Sequence, residues 1–171
     1  MNQIFEEENH IYQFDFSKAN WAIDSLHDVF SQNKVSILSD VDFIAETDNC
    51  LILVEYKNSN IPGAVNPEAF DLQSQKLQNK IAYKFYDSWI YLKARGKEKP
   101  LKYVFIVESP QSDLVMRKRL REKISNLLPF KLQSSPEIKC KIIESFDVLS
   151  ISEWNTHDVY KNFPITSMND L

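Results

Sequence analysis

Apolar and polar positions alternate along this chain in two different rhythms. Residues 11–16, IYQFDF, alternate loosely and predict a short strand. Ala19, Ala22, Ile23, Leu26, Val29 and Phe30 recur at helical spacing, with Ser17 as a cap, and predict a helix across about 18–32. Residues 35–45, VSILSDVDFIA, read as a strand, Thr47-Asp48-Asn49 as a turn, and residues 50–57, CLILVEYK, as a second and mostly buried strand. A polar loop, NSNIPGAVNPEAF, follows. Asn66 as cap and Pro67 at the first helical position start a long helix that runs to about Arg95 and is closed by Gly96. Residues 102–108, KYVFIVE, predict a third strand. Ser112 or Asp113 starts a helix that ends near Leu128, before Pro129. Residues 138–143 and a stretch near 147–151 read as strands, and Ser152 begins a short last helix around Glu153-Trp154. The order is that of an α/β protein with a mixed central sheet flanked by helices, and residues 1–171 suffice for one domain.

The turn at 47–49 fixes a testable register. If Asp48 and Asn49 form a two-residue hairpin loop, opposed residues have numbers that sum to 97. Phe43 then faces Val54, Ala45 faces Ile52 and Val41 faces Tyr56, an apolar face. On the other face Asp42 lies opposite Glu55, and Asp40 opposite Lys57. Opposed Cβ atoms sit roughly 4.5–5.5 Å apart, so two carboxylates placed there repel each other. A bound divalent cation offsets that repulsion, and carboxylate and carbonyl oxygens suit Mg²⁺ or Mn²⁺. Lys57 neutralises part of the cluster and is placed to orient a metal-held water. Carboxylates, lysine and metal together are the groups that hydrolyse a phosphodiester.

Residues 39–60, SDVDFIAETDNCLILVEYKNSN, resemble the core of the PD-(D/E)xK nuclease superfamily, which includes restriction endonucleases and Holliday-junction resolvases. The family pattern is an acid on one strand, a hairpin, an apolar run and then (D/E)-x-K. Asp42 matches the first acid and Glu55-Tyr56-Lys57 the E-x-K. The resemblance implies a restriction endonuclease-like αβββαβ core. It implies that Asp42, Glu55 and the Tyr56 backbone carbonyl ligate Mg²⁺, with Mn²⁺ as substitute, and that Lys57 serves the attacking water. It also implies a nucleic-acid substrate, DNA ahead of RNA, and admits a homodimer that cuts both strands. Val41 stands where the eponymous proline would be. Some members add an acid from the first helix, for which Asp24, Asp28 and Glu6–Glu8 are the candidates. Others carry a Gln and a Tyr on the next helix, where this chain has Asn79 and Tyr83. A catalytically inactive relative, acting as a binding or regulatory protein in phage defence or a toxin pair, is the alternative.

Composition narrows the picture. Two glycines argue against the Gly-rich phosphate loops of a Rossmann fold or a P-loop. Cys50 and Cys140 are too few for a disulfide framework or a structural zinc, and Cys50 reads as a small buried hydrophobe. The first residues are acidic where a signal peptide is basic, and no apolar stretch approaches the roughly 20 residues of a membrane span, so a cytoplasmic protein without membrane contact is expected. A formal net charge of −4 counts mildly against nucleic acid. The distribution is uneven, however. Residues 1–55 hold eleven acidic and two basic residues, and residues 93–123 ten basic and four acidic. Lys76, Lys80 and Lys84, four apart on the long helix, form a stripe that can track a phosphate backbone, and residues 116–123, MRKRLREK, offer a second basic run.

Overall fold

The computed structural model describes residues 3–61 and 71–170. It is a mixed α/β structure with two sheets. Strands β1 (Ile4–Glu6), β2 (Tyr12–Asp15) and β8 (Ile165–Ser167) form a small antiparallel sheet in the order β1-β2-β8. Strands β3 (Trp21–Ile23), β4 (Phe43–Glu46), β5 (Leu51–Asn58), β6 (Leu101–Glu108) and β7 (Ile143–Leu149) form the main sheet in that order. The first three are antiparallel, and β5-β6-β7 are parallel. The helices are α1 (Leu26–Gln32), α2 (Gln75–Ala94), α3 (Leu114–Ser125) and α4 (Ile151–Thr156).

β5 is central because its residues leave no solvent face. Leu51 through Tyr56 are all buried, as expected of a strand paired on both edges and covered on both faces. One face, with Ile44, Leu51 and Leu53, packs under α1, α2 and α3 through Phe30, Ile81, Phe85, Leu120 and Ile124. The other, with Phe43, Ala45, Ile52, Val54 and Tyr56, packs against Phe14, Trp154 and Phe163, from the small sheet and the C-terminal segment. Trp154 is fully buried, and its indole N–H donates to the Phe163 carbonyl at 2.6 Å. Cys50 is buried, as its place beside an apolar run suggests.

The hairpin register holds within the ladder: Phe43 pairs with Val54 and Ala45 with Ile52. Several boundaries differ from the sequence reading. Residues 21–23, expected in a helix, form β3, because an edge position beside β4 is open and takes them as Trp21↔Glu46, Ala22↔Ala45 and Ile23↔Ile44. The helix begins only at Leu26. Residues 35–42 are not strand. The ladder starts at Phe43, and Val41 packs with the helix-side core rather than across from Tyr56. Helix α2 begins at Gln75, where the Ser74 hydroxyl accepts from the Leu77 amide at 3.2 Å; the expected start at Asn66-Pro67, and Phe70, lie outside the described residues. Gly96 closes α2 with φ +71°, and the Lys97 amide returns to the Leu92 carbonyl at 2.9 Å. Of the stretches expected as strands at 138–143 and 147–151, residues 138–142 are not strand and a single strand, β7, spans Ile143–Leu149; α4 starts at Ile151 and is capped by Ser150, not Ser152, in a capping box with Glu153. The main-sheet order is thus β3-α1-β4-β5-α2-β6-α3-β7, with one strand ahead of α1 and two between α1 and α2.

Candidate functional site

The carboxyl end of β5 is where the helix-side face of the sheet turns from apolar to charged. Leu51, Leu53, Glu55 and Lys57 alternate onto that face. Glu55 is 6% exposed, whereas Lys57 is exposed. Ligands of open α/β sheets bind outside the carboxyl ends of parallel strands, and β5 and β6 end here side by side.

Asp42 arrives by a different route. Chain 39–42 leaves the ladder and is held by side chains of α2: the Ser39 amide donates to the Asp87 carboxylate at 2.8 Å and the Val41 amide to the Ser88 hydroxyl at 3.2 Å. Asp42 Oδ2 then accepts the Tyr56 amide at 2.7 Å. The Asp42 side chain thereby replaces the strand partner that β5 lacks once β4 has diverged. A residue's N–H and C=O leave a strand on the same side, so the Tyr56 carbonyl also points toward Asp42.

The cation between the two carboxylates is Lys84. Its Nζ lies 2.8 and 2.7 Å from the two Glu55 oxygens and 3.8 Å from Asp42 Oδ1, and its side chain is 14% exposed. Burial, then the neighbouring Asp42 charge, pushes the Glu55 carboxyl up to about 8, with Lys84 holding it down from the other side. Burial raises Asp42 too; Lys84, the Tyr56 amide and Lys57 pull against this and do not cancel it. For Lys84, burial favours the neutral amine, but Glu55 and Asp42 outweigh it and raise its pKa, so it stays an ammonium.

Asp42 and Lys84 border an open cleft of about 630 Å³, and Glu55 lies behind them, outside its lining. Glu6, Glu8, Asp24, Asp40 and Asp42 line it, with Lys57, Lys80 and Lys84 as the cations. Asp40 does not meet Lys57. It turns to His27, at 3.3 Å, because the chain has already bent toward α2. Of the acids considered as extra ligands, Asp24 and Glu6–Glu8 border the cleft, and Asp28 does not. Glu7 is already engaged, accepting the amides of Asn9, Ile11 and Tyr12 at 2.9, 2.6 and 3.3 Å.

The lysine stripe divides. Lys76 and Lys80 are exposed, and Lys84 points inward. The other basic residues are largely spoken for. Lys97 and Lys99 pair with Glu46, Arg117 with Glu153 and Arg121 with Asp147, leaving Lys118, Arg119 and Lys123 exposed on α3. Sequence reasoning placed Lys84 in the substrate track and missed its pairing with Glu55. The signal was present: Lys84 lies seven residues after Leu77, three after Ile81 and four before Ser88, on the buried side of the helix.

The oxygen donors suit a hard cation. Mg²⁺ commonly takes one or two carboxylates and fills its octahedron with water and substrate phosphate. Asp42, Glu55 and the Tyr56 carbonyl supply that kind of partial set. No group of three or more His, Cys, Asp or Glu side chains is arranged to hold an ion among the described residues. No helix of the described residues is long and apolar enough to cross a membrane. Compared with protein-family models, with curated proteins and with solved structures, the chain matches none.

Proposed function

We propose that this chain is a divalent-metal-dependent nuclease of the PD-(D/E)xK type, hydrolysing phosphodiester bonds in nucleic acid, with DNA favoured over RNA. One observation carries the reading. Asp42 and Glu55, from two different segments, share a single buried cation at the carboxyl end of a central strand, two residues before Lys57. Placing a buried carboxyl, Glu55, beside a second acid, the partly exposed Asp42, is costly and has little structural use on its own. The antiparallel strands β3, β4 and β5, with α1 between the first two, joined to parallel β6 through α2 support a restriction endonuclease-like core.

In this reading Asp42 and Glu55 would hold Mg²⁺ together with the Tyr56 carbonyl, and the ion would supply Lewis-acid chemistry toward a water and a phosphoryl oxygen. Asp42 is kept in place by the Tyr56 amide, and that amide is fixed by the β5 backbone. Lys57, exposed on the same face and bordering the cleft, would orient a water there and offset negative charge that develops on the phosphate.

The acidic rim favours a second reading, a binding protein on the same scaffold without hydrolytic activity, because carboxylates along the cleft repel a phosphate backbone. The two separate by experiment. The wild-type chain is incubated with Mg²⁺ or Mn²⁺ and single- and double-stranded DNA and RNA, beside Asp42→Ala, Glu55→Ala and Lys57→Ala. Cleavage by wild type and its loss in all three folded variants is the expected result. Equal cleavage by the variants refutes the site. A Mg²⁺-dependent rise in Tm that vanishes in Asp42→Asn, without cleavage, selects the binding protein.

A further inference from the structure

Lys84 does not belong beside a metal. An ammonium within hydrogen-bond distance of both Glu55 oxygens occupies the lone pairs that a cation would need, and it adds a positive charge next to the ion. Removing it from Glu55 outright would leave a buried carboxylate beside another carboxylate, the situation that burial makes most costly. The two cations are therefore alternatives for one pair of acids.

We propose that Lys84 is a displaceable internal cation: it occupies the Asp42–Glu55 pair while metal is absent and swings into the cleft when Mg²⁺ enters. The proposal rests on the metal-centre reading given above. Three observations support the movement. Lys84 keeps a minor exposed fraction and already borders the cleft, so its head group has a path outward. Its flexible four-carbon stem lets the ammonium travel while the backbone stays in the middle of α2. The cleft also offers a second resting place of the right charge, since Glu6, Glu8, Asp24 and Asp40 line its rim. The acidic rim, unhelpful for holding a phosphate backbone, becomes the acceptor for the displaced ammonium. The acid pair is then never without a cation, and the metal must compete for it.

The test is the reactivity of the Lys84 amine. The intact protein is pulse-labelled with an amine-acylating reagent at constant pH and ionic strength, with and without saturating Mg²⁺, and each lysine is quantified by mass spectrometry. Mg²⁺ binding is followed separately by calorimetry and by Tm. Without metal, Lys84 should label far more slowly than exposed Lys76. With Mg²⁺ its labelling should rise severalfold while Lys76 stays constant, and Asp42→Asn should show no rise. If Mg²⁺ binds but Lys84 labelling is unchanged or falls, displacement is refuted and the metal centre stands. If Lys84 labels as fast as Lys76 in the absence of metal, the ammonium is not held between the acids and the proposal fails. If Mg²⁺ neither binds nor raises Tm, the metal-centre reading itself is wrong and displacement falls with it.

Discussion

Glu46 and Glu55 sit on neighbouring strands of one sheet, and each is gripped by lysine, yet their carboxyls are shifted in opposite directions. Glu46, 13% exposed at the hairpin end, meets two cations, Lys97 and Lys99, the latter at 3.0 Å. Its hydrogen bond from Lys97 leads the effects that hold it below the ordinary carboxylate range. Glu55, more deeply buried, shares its one close lysine with a second acid and is pushed up to about 8. Two cations for one carboxylate make a structural pair. One cation for two carboxyl groups leaves a deficit of positive charge, which a proton on Glu55 fills until a cationic ligand takes its place.

The comparison breaks most visibly if the cations are removed. Lys84→Met leaves Glu55 buried without its ammonium and should cost about 3–4 kcal/mol in urea denaturation, whereas Lys97→Met leaves Lys99 in place and should cost under about 1 kcal/mol. Equal losses would show that the two pairs are energetically alike.

The pH dependence should differ in sign. The folded Glu55 carboxyl titrates near 8 against an ordinary 4.5, so between those values the folded state holds a proton that the unfolded chain has lost. Stability should fall as pH rises through that window, at up to about 1.4 kcal/mol per pH unit, and Glu55→Gln should flatten the slope. Glu46 is shifted down, so its contribution is present above 4.5 and is lost as pH drops through its lowered value. Glu46→Gln should therefore weaken only the acid limb, by less than the Glu55 effect. Unchanged slopes from pH 5 to 8 in Glu55→Gln would contradict the charge deficit.

A smaller effect sharpens the picture of how Asp42 is held. Ser88→Ala removes the acceptor of the Val41 amide and should cost about 1 kcal/mol while weakening Mg²⁺-dependent stabilisation. Loss of stability with metal stabilisation intact would separate the loop's anchoring from the site.

The hairpin was legible because its information is local. A two-residue loop sets the register, and the pairing of Phe43 with Val54 follows by counting. The approach of Asp42 to Glu55's cation was legible only in outcome. Counting extends the ladder three pairs too far, through Asp42–Glu55, Val41–Tyr56 and Asp40–Lys57, and the contact is instead made by a bent segment tied to α2 through Asp87 and Ser88. That tie depends on where a helix more than forty residues later docks, which periodicity alone does not contain. The same holds for β3. Ala19, Ala22 and Ile23 fit a helix by spacing, but Ala22 and Ile23 serve opposite faces of the sheet, a choice set by the free edge of β4. Lys84 was read as one of three equivalent surface lysines, although its phase on the helix already set it apart.

The 2.7 Å hydrogen bond from the Tyr56 amide to Asp42 has a practical consequence. This amide proton belongs to the rigid frame of β5, yet its acceptor belongs to the acid pair. It is a built-in spectroscopic probe. Whatever occupies the pair, whether ammonium, proton or metal ion, changes the electron density on the Asp42 oxygen and with it the resonance of one backbone proton. The occupancy of the site can thus be read from a single amide cross-peak of the isotopically enriched protein, with no substrate.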